Sequence, residues 1–133
     1  MTDSPGRALE EAEAWLLSAK DKLEIARDEG VQANVCCALA IHGIIRANDA
    51  IAMKLMNVKG TRHDDMPAIF TKILQQGKMA GENRRFLRLL QKAAVDKSGA
   101  DYGKSEFGYE DARRYVADAE EFISMARGII RKP

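Results

Sequence analysis

The chain has 133 residues, 46% of them hydrophobic and 31% charged, enough apolar matter for the core of one compact domain. With 21 Lys and Arg against 20 Asp and Glu the formal net charge is +1, which excludes a surface that attracts polyanions throughout. Any nucleic-acid contact is therefore local.

Three prolines, at positions 5, 67 and 133, and no alternating β-branched run leave strands without support, so an all-α fold is expected. Ala8, Ala12, Trp15, Leu16, Ala19, Leu23 and Ala26 recur at steps of three and four and predict a helix over 6–29, with Gly30 as its stop. The next helix, about 31–57, is apolar on two faces. Projection at 100° per residue puts Val35, Ala38, Leu39, His42, Ile45, Arg46, Asp49, Met53 and Met56 on one side. The other side carries Cys37, Ala40, Ile44, Ala47, Ile51 and Leu55, so this helix sits centrally or faces a second subunit.

In "NVKGTRHDDMPAIF" Thr61 and Asp64 are good caps and Pro67 fits a first turn, so a short helix carrying Ile69, Phe70, Ile73 and Leu74 follows and ends by Gly77. A fourth helix over 82–98 buries Phe86, Leu87, Leu89, Leu90, Ala93 and Ala94 and leaves Arg84, Arg85, Arg88 and Lys92 to solvent. Three glycines in "KSGADYGKSEFG" predict a long loop, and Ala112, Tyr115, Val116, Ala119, Phe122, Ile123, Ala126 and Ile130 mark a last helix over 109–130. The economical arrangement is an up-and-down antiparallel four-helix bundle with one additional short helix, as a single domain over 1–133.

Cys36 and Cys37 are adjacent and point about 100° apart on a helix, which suits small apolar residues in a reducing compartment better than a disulfide or a metal site. No basic and apolar leader precedes the first stripe, and no uninterrupted apolar run approaches the ~18 residues that cross a bilayer. A soluble cytoplasmic protein without a membrane contact is expected.

His42, Arg46 and Asp49 interrupt an apolar stretch at steps of four and three, so neighbours in the triple can touch. One reading makes His42 a general base or phosphate ligand, Arg46 a phosphate clamp and Asp49 the group that orients them. The other makes the triple a polar plug in which Asp49 pairs with Arg46 and His42 bonds to a neighbouring helix. His63 in "TRHDD" lies ahead of a helix N-terminus, where capping accounts for the cluster. His42, His63, Asp64 and Asp65 lack ligand spacing, so no metal and no cofactor are expected. Residues 1–30 hold four basic and eight acidic side chains, a net of −4, whereas 72–97 hold seven basic and two acidic, a net of +5. The latter segment predicts a basic ridge for phosphates or an acidic partner, or else one paired with the acidic first helix.

The second helix "ALAIHGIIRANDAI", the histidine before a short third helix in "GTRHDDMPAIF", the segment "KSGADYG" and the final "ARRYVADAEEFISMAR" resemble, in order and character, the HEPN superfamily over nearly the whole chain. The resemblance implies a four-helix bundle that forms a homodimer. It also implies a toxin-antitoxin type of role: a ribonuclease toxin, or a nucleotide- or RNA-binding partner of a minimal nucleotidyltransferase serving as antitoxin. Ribonuclease members carry an Arg, four to six residues, then His, and no arginine stands five to seven positions before His42 or His63. Lys97, Ala100 and Tyr102 match the family's basic, small and tyrosine pattern. The resulting expectation is a binding module with Arg84, Arg85, Arg88, Lys92, Lys97 and Tyr102 as its nucleotide or RNA contacts. Its rivals are a ribonuclease with a site substituted by His42, Arg46 and Tyr102, and a purely structural dimerisation protein.

Overall fold

The computed structural model describes residues 3–26, 30–58, 65–102 and 106–132, and among these it is all α. Five α-helices follow in order: α1 Pro5–Ala26, α2 Gly30–Met56, α3 Met66–Gln75, α4 Leu87–Tyr102 and α5 Tyr109–Ile130. A short 3-10 helix, Gly81–Phe86, leads into α4. The ends follow from local chemistry. Ser4 Oγ accepts the Arg7 N–H at 3.1 Å and caps α1, and Pro5 occupies a first turn that has no use for its missing N–H. Asn57, with φ of 53°, and Gly77, with φ of 65°, adopt the left-handed conformation just beyond α2 and α3. Asp111 accepts the Gly108 N–H at 2.9 Å and fixes the start of α5.

α2 is the hub. Ile41, Ile44 and Ile51 are fully buried, and the Phe70 and Phe86 rings meet Phe122 at 5.9 and 5.3 Å between centroids, which joins α3 and the 3-10 turn to α5. α1 comes close to α2 along small residues. A Cβ on Gly43 would meet Ala12 O and Ile123 Cδ1 at 3.3 Å, and Cys36 Sγ lies 3.2 Å from Ala19 O. The two apolar faces of α2 are thus used within one chain, since α1, α3, α4 and α5 all pack on it.

Several boundaries differ from the expectation. Gly30 opens α2 rather than closing α1. The segment 97–102, expected to be loop, is the last turn and a half of α4, and the expected start of that helix at 82 is a 3-10 turn. Ala100 is buried and its carbonyl accepts the Asn34 amide at 2.7 Å, so packing on α2 outweighs the helix cost of Gly99, about 1 kcal/mol. Trp15 lies at the edge of the α1 stripe and is 36% exposed. The caps assigned to Thr61 and Asp64, and His63 with them, fall outside the described residues; Asp65 precedes α3 without a side-chain cap bond. Finally, α2 is long and apolar enough to cross a membrane by length and composition, although 67% of its most apolar window is buried inside the protein.

Candidate functional site

The polar triple of α2 divides into two networks. Arg46 faces three carboxylates: its Nε donates to Glu11 at 2.7 Å, one terminal nitrogen to Asp49 at 2.8 Å, and the other to Asp3 at 3.2 Å. Burial works against its charge, but the bonds to Asp49, Glu11 and Asp3 prevail and hold the guanidinium above its ordinary range. Every branch of this side chain is engaged, tying the start of α1 to the middle of α2.

His42 turns elsewhere. Its Nε2 lies 3.2 Å from Asp101 Oδ1 on α4, whose other oxygen accepts from Lys97 Nζ at 2.7 Å, and the Trp15 ring stacks on the imidazole at 4.9 Å. Asp101 is the partner that the sequence concealed, because its segment looked like loop. Tyr102, expected beside this group, is 73% exposed and makes no hydrogen bond or ring contact among the described residues. No contact there joins it to His42 or Arg46.

The basic ridge forms one wall of a groove between α4 and α5, with a volume of about 360 Å³. Arg85, Arg88 and Lys92 come from the α4 side, and Asp111, Arg114, Asp118 and Glu121 from α5, at the three- and four-residue steps that keep each set on one helix face. Phe86, Leu89 and Tyr115 make the floor. The helices run antiparallel here, because Arg85 pairs with Glu121 at 3.1 Å while Lys92 Nζ sits 4.2 Å from the Tyr115 ring centroid. Lys92 also pairs with Asp96 at 2.9 Å, and Asp96 accepts the Tyr115 hydroxyl. Burial first, and then this bond, push the Tyr115 hydroxyl well above its ordinary range, so it stays a donor. Burial and the neighbouring Glu121 raise the Asp118 carboxyl, with Lys92 and Arg114 opposing.

Arg88 and Arg114 stand apart from these engaged groups. Neither has a hydrogen bond or an ion pair among the described residues, and both line the same groove. Arg84, also expected at the ridge, is exposed outside the groove, and Lys97 belongs to the His42 network. Sequence reading missed the α5 wall. Its only signal was the charged flank of an amphipathic helix, which looks like a solvated face until the facing helix is located.

Cys36 and Cys37 are fully buried and free, and burial pushes their thiols up to about 11 and about 12. They are inert packing residues. No group of three His, Cys, Asp or Glu that could hold a metal occurs among the described residues. No protein-family model matches the chain, and no curated protein matches it.

Proposed function

We propose that this protein is a helical binding module of the HEPN type, an up-and-down four-helix bundle with one short extra helix. Its ligand is a phosphate-bearing one, a nucleotide or RNA, held in the groove between α4 and α5. The observation that carries this reading is a pair of guanidinium groups, Arg88 and Arg114, with no hydrogen bond or ion pair among the described residues, over a floor of two aromatic rings and a leucine. Arginine offers planar forked donors to phosphate, and an apolar floor accepts a base face. Lys92 adds charge at the same level of the groove. The occupied state of Arg46 and His42 favours binding over turnover, since a phosphate there would have to displace carboxylates already in place. In this reading the module works in a reducing cytoplasm, and a nucleotidyltransferase-type partner would act on it.

The test is fluorescence anisotropy with a dye-labelled single-stranded RNA, beside thermal shifts with nucleoside phosphates. Affinity falls steeply with salt, and Arg88→Glu or Arg114→Glu weakens it and lowers the salt slope by about 1 for each phosphate that is no longer neutralised. Absent binding, or binding insensitive to salt and to both substitutions, refutes the reading.

A further inference from the structure

α1 and α4 both pack on α2, with His42 between Trp15 of α1 and Asp101 of α4. Asn34 bonds to α4 and Gly43 lies against α1. Each outer helix turns an uncovered face to solvent. On α1 this face carries Glu10, Ala14, Leu17, Asp21 and Glu24, at steps of four and three, with Leu17 61% exposed. On α4 it carries Arg88, Gln91, Val95, Ser98 and Tyr102, with Val95 79% and Tyr102 73% exposed. Arg84 extends the same line one turn earlier.

The two faces have opposite charge and the same plan, with large apolar side chains between ionic ones. Glu10, Asp21 and Glu24 on α1, Arg88 on α4 and Arg84 in the 3-10 turn before it have no ion pair or hydrogen bond among the described residues.

We propose that α1 of one molecule docks antiparallel on α4 of the next, so that the protein associates head to tail with itself. Placing Leu17 against Val95 brings Glu24 to Arg88 and Glu10 to Tyr102, because the heptad-like steps match in the opposite sense. Two unlike surfaces make the contact heterologous, so an open chain of molecules keeps one free face of each kind, at its two ends. A contact between single helix faces is at the small end of interfaces, and its exposed charges make it weak and strongly screened by salt.

The test is sedimentation velocity of the full chain at about 20 mM and about 300 mM salt, where the screening length differs several-fold. At low salt the weight-average sedimentation coefficient rises with protein concentration, and at high salt it returns to the monomer value. Arg84→Glu with Arg88→Glu makes both faces acidic, and Asp21→Lys with Glu24→Lys makes both basic. Each double variant alone loses association by about ten-fold or more, and an equimolar mixture of the two regains it, with circular dichroism showing both folded. The proposal is overturned by wild type that stays monomeric at low salt, by association that either variant keeps alone, or by a mixture that fails to associate.

Discussion

Asn48 offers the sharpest test of the packing. It sits on the core side of α2 with no exposed surface, and neither the oxygen nor the nitrogen of its amide has a hydrogen-bond partner. An unsatisfied buried polar group costs about 1–3 kcal/mol. Asn48→Leu keeps the number and branching of the side-chain heavy atoms while removing both polar ones. Burying the new methyl groups adds a gain that the slightly larger side chain partly offsets through crowding, typically about 1–3 kcal/mol. The net expectation is a stabilisation of about 1–2 kcal/mol, or about 4–7 °C in Tm for a chain of this size. Urea unfolding followed by circular dichroism should show a higher midpoint at unchanged slope. A loss of more than about 1 kcal/mol would show that the amide is bonded in solution and that the core is arranged differently around it.

The cysteines give a pH prediction. Because the fold favours the protonated thiols, their contribution to stability is complete below the unfolded value near 9 and is lost as pH rises towards about 11 and about 12, so denaturation midpoints should fall over that alkaline range and fall less in a Cys36→Ala/Cys37→Ala chain. At pH 8 the folded thiols carry about 100- to 1,000-fold less thiolate than free ones, so a disulfide reagent should modify them only at the rate of unfolding. Arg46→Met leaves Asp3, Glu11 and Asp49 facing a neutral side chain and should cost about 2–3 kcal/mol by the same urea assay; a change under about 0.5 kcal/mol would show that the clamp is worth no more than a surface pair.

Much of the helical order is legible in the sequence wherever an apolar stripe is unbroken. α5 has the bounds that Ala112 to Ile130 suggest, and α2 differs by one residue at each end. The misjudged segment is 97–102, where glycine chemistry argues locally for a loop, while the bonds of Ala100 and Asp101 to α2 and of Lys97 within α4 decide for helix. That misjudgement hid the partner of His42, since Asp101 is 59 residues away and only the packing of α4 brings it near. The Arg46–Asp49 pair was readable because it is local, whereas Glu11 and Asp3 were not. On the basic ridge, charge and helical spacing identify Arg88 but cannot show that Arg114 shares its groove. Asn48 escaped notice because in "RANDAIAM" it stands between the more conspicuous Arg46 and Asp49, and its burial shows only once the neighbouring helices are placed.

The central place of α2 has a consequence during synthesis. This 27-residue helix leaves the ribosome before α3, α4 and α5, the elements that cover two of its sides, have been made. At about 5–20 residues per second the nascent chain spends several seconds with a rod as greasy as a membrane anchor and only α1 beside it. A chain cut short before Tyr109 would lack α5 and leave that side of α2 uncovered.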